Sequence, residues 1–160
     1  MEIRALREED WPAVAAIWAD GIATGNATFE TEVPSWDEFD RTRLPGHRLV
    51  AVDGDVVGWA ALTPTSSRDC YAGVAENSVY VAAGARGRGV GLALLDALLQ
   101  GADAAGIWTV QTSIFPENEA SVALHLRVGF RVVGRRERIA KLDGAWRDTL
   151  FLERRSPAVS

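Results

Sequence analysis

The chain has 160 residues, of which 48% are hydrophobic and 24% are charged, and its formal net charge is −5. These values are typical of one soluble globular domain, and the acidic balance disfavours a nucleic-acid partner, which requires a basic surface. The single cysteine, Cys70, excludes an intrachain disulfide framework, and without Cys or His at ligand spacing no metal site is predicted. The charged residues 1–11 do not resemble a signal peptide and no apolar run is long enough for a membrane span, so we expect a cytoplasmic protein without a membrane partner.

Strand and helix patterns alternate from the start of the chain. Residues 2–6 show the two-residue period of a strand. Residues 7–22 show a helical period, and the apolar side chains on one face of this helix are Val14, Ile17, Trp18 and Ile22. Residues 24–34 are typical of a loop. Ser35 and Glu38 form a capping box, which predicts that a short second helix follows.

A hairpin, a third strand and a long helix occupy the middle of the chain. Residues 47–52 and 56–62 have strand patterns, and the Asp-Gly pair between them predicts a tight turn. Residues 64–73 form a polar connection, and residues 76–81 have the pattern of the next strand. A helix follows the glycine-rich segment, and its predicted buried side chains are Val90, Leu94, Leu95, Leu98 and Leu99.

One more strand and one more helix follow. Residues 108–115 have a strand pattern, and residues 116–130 have the pattern of a helix that ends at Gly129. Either Pro116 or Asn118 opens this helix, because proline is favoured in the first turn and asparagine at the N-cap. A polar residue at the start and glycine at the end are the usual boundaries of a helix.

The chain closes on a second hairpin. Residues 131–142 and 147–155 have strand patterns and flank another Asp-Gly turn. The complete order, β-α-α-β-β-β-α-β-α-β-β, predicts a mixed α/β (α+β) domain with a mostly antiparallel sheet and helices on both faces. We assign residues 1–155 to one domain and predict that residues 156–160 are a disordered tail.

The stretch "SVYVAAGARGRGVGLALLDALL" at residues 78–99 has the chemistry of an anion site. Glycines let the backbone approach a ligand closely, and the first turn of a helix offers N–H groups without partners at the positive end of the helix dipole. Arg86 and Arg88 add charge-assisted hydrogen bonds to phosphate. The alternative is an ordinary glycine-rich turn with two solvated arginines.

Two common phosphate motifs do not match this stretch. The P-loop requires Lys and Ser or Thr after its last glycine, and no glycine pair here is followed by them. The dinucleotide motif G-x-G-x-x-G matches at Gly87 and Gly89 but then meets Leu92, and it lies outside the parallel βαβ context that this motif needs. The ligand is therefore expected to be a different phosphate compound.

Two motifs carry a family resemblance. Arg-x-x-Gly-x-Gly occurs at Arg86, Gly89 and Gly91, after a predicted strand and before a leucine-rich helix. Asn118 and Ser121 begin "NEASVALHLRVGF", an Asn-x-x-Ser motif with a terminal Gly-Phe on the next predicted helix. In these motifs the sequence resembles the GNAT N-acetyltransferases, and in "ATFETE", "VDGDVVGWA", "AENSVYV" and "GAWRDTLFLER" it resembles their phosphinothricin and methionine sulfoximine branch. The resemblance implies the GNAT fold and acetyl-CoA as cosubstrate.

The resemblance also implies roles for individual residues. The family binds acetyl-CoA through a strand backbone, a pyrophosphate loop and the next helix, which here correspond to Val79, Tyr80, Val81, Arg86, Gly87, Arg88, Gly89, Val90, Gly91, Leu92, Asn118 and Ser121. It places a proton-accepting glutamate at Glu76, and His125 corresponds to the residue that assists the thiolate or orders water. The acceptor-side wall corresponds to Asn26, Thr28, Phe29 and Glu30.

Each single residue also has a structural interpretation. Glu76 can be a surface carboxylate at a strand end, His125 a packed helix histidine and Asn118 an N-cap. The chemistry needs only a modest base, because deprotonating an amine with a pKa near 8 costs about 1.4 kcal/mol at pH 7. Strand-edge amides aimed at a developing oxyanion contribute roughly 3 to 4 kcal/mol to catalysis.

The resemblance implies transfer of the acetyl group of acetyl-CoA to the amine of a small amino acid or analogue, by direct attack in a ternary complex. The alternatives are acetylation of protein N-termini or lysines, since acceptor specificity lies in loops, and a non-catalytic acetyl-CoA-binding domain. The family resemblance also implies a homodimer. We expect the acceptor between residues 25–32 and 65–73, and because only Arg68 is available there for an anion, weaker activity on phosphinothricin than on methionine sulfoximine.

Overall fold

The computed structural model describes residues 1–159, which form one seven-stranded sheet with helices on both faces. In chain order the strands and helices are β1 (Glu2–Ala5), α1 (Trp11–Ala23), α2 (Trp36–Thr42), β2 (Arg48–Asp53), β3 (Asp55–Pro64), β4 (Val74–Val81), α3 (Val90–Ala104), β5 (Thr109–Ile114), α4 (Glu119–Arg127), β6 (Arg131–Leu142) and β7 (Ala145–Arg155). Short 3₁₀ turns lie at Glu8–Asp10, Asp69–Tyr71 and Ala83–Ala85. No helix among these residues is long and apolar enough to cross a membrane.

The strand order is β1-β2-β3-β4-β5-β7-β6, and β4 with β5 is the parallel pair in an otherwise antiparallel sheet. The predicted order of elements and the predicted fold class are confirmed. Both Asp-Gly pairs lie in hairpin turns, and the second has φ values of 51° at Asp143 and 81° at Gly144, as a tight hairpin turn requires.

An apolar core lies on each face of the sheet, because successive side chains of a strand point to opposite faces. Ala60 and Leu62 of β3 pack on the same side as the α3 side chains predicted to be buried, and all five of these are buried: Val90, Leu94, Leu95, Leu98 and Leu99. Trp59 of β3 packs on the opposite side against Trp18 of α1 and Phe39 of α2. The first helix thus buries the face predicted for it, and the sheet is held from both sides.

Helix boundaries follow the expected capping chemistry. The Ser35 hydroxyl accepts a hydrogen bond from the Glu38 N–H at 3.2 Å, which starts α2. Asn118 rather than Pro116 caps α4, and its side-chain oxygen accepts from the Ser121 N–H at 3.3 Å. The predicted tail begins with a packed residue, because Ser156 is buried and its N–H donates to the Trp108 carbonyl at 2.9 Å. Ser160 lies outside the described residues, and the prediction for it stays a prediction.

Candidate active site

A cleft opens in the sheet between the two parallel strands. Their register joins only Val74–Glu76 to Thr109–Gln111, although β4 continues to Val81 and β5 to Ile114. Beyond these three pairs both strands line a cavity of about 1110 Å³. Small-molecule sites usually have about 300 to 1,000 Å³, so this cavity has room for a large ligand or for two ligands. Strand edges that face the cavity offer N–H and C=O groups to whatever lies between them.

The glycine-rich loop forms one end of this cavity. Gly87 and Gly89 have φ values of 76° and 80°, a left-handed conformation that explains why glycine stands at both positions. Gly89 is the N-cap of α3, no side chain caps this end, and the first turn contains no acidic residue. The N–H groups of the first turn therefore face the cavity at the positive end of the dipole, which suits a pyrophosphate.

The two arginines of the loop have different surroundings. Arg86 is exposed and lines the cavity. Arg88 forms an ion pair with Asp53 at the end of β2, and it does not lie among the described residues that line the cavity. Apart from Arg88, every residue predicted for cofactor, acceptor or catalysis lines this one cavity. Their shared location agrees with the prediction, and their individual roles stay predictions.

Glu76 lies at the point where the cleft opens, since it forms the last residue pair between β4 and β5. Its side chain is open to the cavity, yet the surrounding walls remove part of its hydration. This loss of hydration raises the pKa of Glu76 above its ordinary value, and the charges of Arg136 and Arg43 oppose the increase. A carboxylate with a raised pKa is a better proton acceptor than an ordinary surface glutamate.

His125 is buried on α4 with 2% of its surface exposed. Its Nδ1 donates to the Ser121 carbonyl at 2.7 Å, and its Nε2 lies 3.0 Å from Asn77 Nδ2. Burial lowers the pKa of His125, so the ring is neutral near pH 7 with its proton on Nδ1. Nε2 then accepts from Asn77 and has no proton of its own to give. In this arrangement the histidine orients Asn77, whose Oδ1 has no hydrogen-bond partner among residues 1–159.

The neighbouring predicted residues are also held by protein contacts. The Asn118 amide is used twice, because Nδ2 donates to the Asn26 carbonyl at 3.2 Å while Oδ1 caps α4. The Tyr80 ring stacks on Trp59 with centroids 5.0 Å apart, on the side of the sheet covered by α1. Burial raises the pKa of Tyr80 to about 12, so its hydroxyl stays protonated at physiological pH.

The acceptor-side residues belong to the loop after α1. Asn26, Thr28, Phe29 and Glu30 all line the cavity, and Phe29 packs edge-to-face on Phe115 with centroids 4.8 Å apart. The expectation that residues 65–73 form the opposite wall is wrong, because none of them lies among the described lining residues. The Thr65 hydroxyl donates to the Val74 carbonyl, and the Gly73 carbonyl accepts from the N–H groups of Trp108 and Thr109. These bonds hold the segment beside the first residues of β4 and β5, away from the cavity.

Arg147 of β7 was not predicted and holds the acceptor-side loop in place. Its guanidinium donates to the Gly25 carbonyl and to Asn26 Oδ1, each at 2.8 Å, and pairs with Glu117 at 3.3 Å. The same group lies 4.0 Å from the centroid of the Phe115 ring. The contacts with Gly25 and Asn26 join residues more than 100 positions apart in the chain, so no local pattern in the sequence indicates them.

We expect Arg147→Ala to raise the KM for the acceptor about 10-fold or more, because two hydrogen bonds to the loop and an ion pair with Glu117 are lost together. The KM for acetyl-CoA should change little, since Arg147 does not touch the glycine-rich loop. Steady-state kinetics with each substrate varied in turn measures the effect. Arg131→Ala is the matched control, because it removes the same charge and one ion pair from the same hairpin. An equal change in acceptor KM for the two variants would show that Arg147 does not hold the acceptor-side loop.

Comparison with known proteins supports the interpretation of this geometry. The L-methionine sulfoximine/L-methionine sulfone acetyltransferase of Pseudomonas paraeruginosa is 34% identical over 160 residues, which cover 94% of this chain and 92% of that protein. A GNAT superfamily phosphinothricin acetyltransferase from Sinorhizobium meliloti, solved in complex with AcCoA, has a TM-score of 0.89 at 29% identity, with 99% of this chain and 90% of that chain covered.

A third similarity is to the ribosomal-protein-alanine N-acetyltransferase of Brucella melitensis, with a TM-score of 0.87, 32% identity and coverage of 97% of this chain and 99% of that chain. The sequence pattern of the acetyltransferase (GNAT) family matches residues 3–130. The resemblance found in the two sequence motifs is thereby confirmed. The glycine-rich loop, the open cleft and these similarities together establish that the chain belongs to the GNAT acetyltransferase family.

Proposed function

We propose that the protein is an N-acetyltransferase that moves the acetyl group of acetyl-CoA to the amine of a small amino acid or amino-acid analogue. The single observation that carries this function is the continuity of the cavity. It runs from the uncapped start of α3, along the free edges of β4 and β5, to Glu76 and the loop of residues 26–30. One ligand that carries a pyrophosphate and a second that carries an amine can therefore meet at the open end of the cleft.

The reaction that we propose is a direct attack within a ternary complex. The amine nitrogen attacks the thioester carbonyl carbon and loses a proton to Glu76, directly or through water. The C–N bond forms, the C–S bond breaks, and the thiolate leaves and takes up a proton. N–H groups of Val79, Tyr80 and Val81 that point into the cleft stabilise the charge on the carbonyl oxygen. His125 acts as a positioning residue, because its neutral ring holds the Asn77 amide.

The unequal surroundings of the two loop arginines lead to a prediction on the cosubstrate. Arg86→Ala should weaken acetyl-CoA binding by about 1.5 to 3 kcal/mol, because a charge-assisted contact to the pyrophosphate is lost. Arg88→Ala is the matched control and should weaken binding less, since Arg88 already pairs with Asp53. Titration calorimetry with acetyl-CoA, and with ATP and NADH for comparison, measures both. A larger loss for Arg88→Ala would reverse the assignment.

The proposed acceptor class rests on the relatives that are named for methionine sulfoximine and phosphinothricin. A panel of methionine sulfoximine, phosphinothricin, a lysine peptide and a polyamine, each assayed for kcat/KM with acetyl-CoA, tests it. We expect methionine sulfoximine or another small amino acid to be preferred. The opening of the cavity beside the loop of residues 26–30 supports a small acceptor, because Phe29 and Phe115 narrow it.

The second candidate is acetylation of a protein N-terminus, which the Brucella melitensis similarity favours. A preference for the peptide in the same panel would establish this alternative. Binding of acetyl-CoA without turnover of any acceptor would indicate a non-catalytic binding domain. The two outcomes differ in whether coenzyme A is released.

The assembly and location of the enzyme complete the proposal. We propose a homodimer, supported by four large apolar side chains that stand exposed on the terminal hairpin, namely Val132, Val133, Ile139 and Trp146. Analytical ultracentrifugation tests the dimer. The cytoplasmic location and the expected lack of a metal remain predictions. The side chains of residues 1–159 include no group of three or more potential ligands placed for a metal ion.

A further inference from the structure

A row of polar side chains crosses four strands on the face of the sheet that carries Glu76. Residues directly opposite each other, and residues two apart on one strand, share a face. Glu76 is opposite Gln111, which is two residues from Ser113 on β5. Ser113 is opposite Phe151, which is two residues from Thr149 on β7, and Thr149 is opposite Arg136 on β6. The row Glu76, Ser113, Thr149 and Arg136 therefore forms the floor beside the proposed base.

Arg136 is held toward this floor. Its Nη2 donates to Ser113 Oγ at 2.7 Å, and its guanidinium lies 4.8 Å from the centroid of the Phe151 ring. Arg136 does not lie among the described residues that line the cavity, but its partner Ser113 does, and the Arg136 charge acts on Glu76. A guanidinium that rests on an aromatic ring and one hydroxyl keeps several N–H donors for a ligand.

Arg136 differs in its charge partners from most other arginines of the terminal hairpin. Carboxylates pair with each of Arg131, Arg135, Arg147, Arg154 and Arg155. Among residues 1–159, the side chains of Arg136 and Arg138 form no ion pair with a carboxylate. Of these two, Arg136 is the one whose guanidinium contacts a residue that lines the cavity, Ser113, so a cation without a fixed anion lies beside the cavity.

Thr149 supplies a second and independent sign of a ligand at this place. It lines the cavity, only 4% of its surface is exposed, and its hydroxyl has no hydrogen-bond partner among the described residues. A buried hydroxyl without a partner costs about 1 to 3 kcal/mol unless a ligand or water satisfies it. Because Thr149 stands directly opposite Arg136, one ligand group can accept from both side chains.

A β-bulge directly after Arg136 sets the direction in which the Arg136 side chain leaves the strand. Residues 137–139 stand opposite Asp148 alone, and Arg138 has a positive φ of 47°. Asp148 holds the bulge, because it accepts from the Arg138 N–H at 2.8 Å and pairs with Arg135. Bulges of this kind redirect side chains next to binding sites. The backbone beside Arg136 therefore has a defined conformation that is held by the contacts of Asp148.

We propose that Arg136, together with Thr149, binds an anionic carboxylate or phosphinate group of the amino-acid acceptor while the amine of the acceptor faces Glu76. This inference rests on the proposed function and names the group that recognises its substrate class. It replaces the expectation that an anion has only Arg68 available, because Arg68 stacks on Tyr71 in the segment that does not line the cavity. The reason for expecting weaker activity on phosphinothricin, the lack of an arginine near the acceptor, therefore no longer holds.

The test compares Arg136→Leu, Arg136→Lys, Thr149→Val and the control Arg131→Leu. The control removes an equal charge from the same strand and leaves Glu153 paired with Arg155. Three acceptors are assayed with saturating acetyl-CoA: methionine sulfoximine, its α-carboxamide and phosphinothricin. The acceptor KM, kcat and the KM for acetyl-CoA are recorded for each variant.

We expect Arg136→Leu to raise the KM of methionine sulfoximine about 10- to 150-fold with little change in kcat or in the KM for acetyl-CoA, since a hydrogen bond to a charged group is lost. The α-carboxamide should bind equally poorly to the wild type and to Arg136→Leu. Arg136→Lys should restore part of the affinity, and Thr149→Val should cost about 2- to 10-fold. If only phosphinothricin loses affinity, the bound group is the phosphinate instead of the α-carboxylate.

Unchanged acceptor KM values in Arg136→Leu, or an equal loss for acid and carboxamide, would overturn the inference. In that case the wild type still acetylates the amino acids, and the proposed function stands. A wild-type enzyme that acetylates none of the small amino acids would overturn the proposed function and this inference with it. The two failures are therefore distinguished by the wild-type assay alone.

Discussion

Replacing Glu76 by glutamine is expected to lower kcat for acetyl transfer by about 10²- to 10⁴-fold, the usual effect of removing a general base. Glutamine keeps the size of the side chain but accepts no proton. The KM for acetyl-CoA should remain nearly unchanged, because Glu76 lies where the cleft opens and the glycine-rich loop lies at the other end of the cavity. Steady-state kinetics and calorimetry with acetyl-CoA measure the two effects separately.

The dependence of activity on pH provides a second test of Glu76 as the base. The base works in its deprotonated form, and the removal of hydration by the cleft walls raises the pKa of Glu76. Activity of the wild type should therefore fall, as the pH is lowered, at a higher pH than an ordinary glutamate would give. Glu76→Gln should lack this acidic limb. Near-full activity of Glu76→Gln from pH 6 to 9 would show that solvent takes the proton.

Trp59→Ala is expected to lower the free energy of unfolding by about 3 to 5 kcal/mol, a large part of the roughly 5 to 15 kcal/mol typical of a domain. Trp59 is fully buried and contacts the rings of Trp18 at 4.7 Å, Phe39 at 5.7 Å and Tyr80 at 5.0 Å between centroids. Its indole N–H has no hydrogen-bond partner among the described residues. The loss therefore comes from the cavity that is left and from the lost apolar contacts.

Urea unfolding followed by circular dichroism measures this loss. Tyr71→Ala is the control, because Tyr71 is 46% exposed and lies outside both apolar cores, so its removal should change the unfolding free energy by less than about 0.5 kcal/mol. Similar values for the two variants would contradict the packing of α1 and α2 on the sheet. Trp59→Ala also removes the ring on which Tyr80 stacks, and Tyr80 lines the cavity. We therefore expect this variant to disturb the cavity wall as well as the core.

Much of the fold follows from local patterns in the sequence. Leu94, Leu95, Leu98 and Leu99 of α3 recur at helical spacing, and their burial follows from that period. The two Asp-Gly pairs define hairpins because few other residue pairs adopt such turns. The glycine-rich loop before α3, for which we predict pyrophosphate binding, is recognisable in the sequence because glycine, arginine and a helix start occur together within a few residues.

Other features of the site depend on contacts between distant segments. Arg147 and Arg136 belong to the last hairpin, but they contact the loop after α1 and the strand β5. The pairing of Arg88 with Asp53 likewise joins a loop to a hairpin 35 positions away. Sequence spacing predicts neighbours along one helix or strand, whereas these neighbours are created by the order of the strands. The wall wrongly assigned to residues 65–73 has the same cause.

The short register between β4 and β5 has a mechanical consequence. The sheet consists of two blocks, β1–β4 and β5–β7, and only three residue pairs close the seam between them. A ligand that hydrogen-bonds to both blocks across this seam resists their relative rotation. Ligand at 100 times its dissociation constant stabilises a protein by about 2.7 kcal/mol. We therefore expect substrate binding to make the whole sheet stiffer as well as more stable.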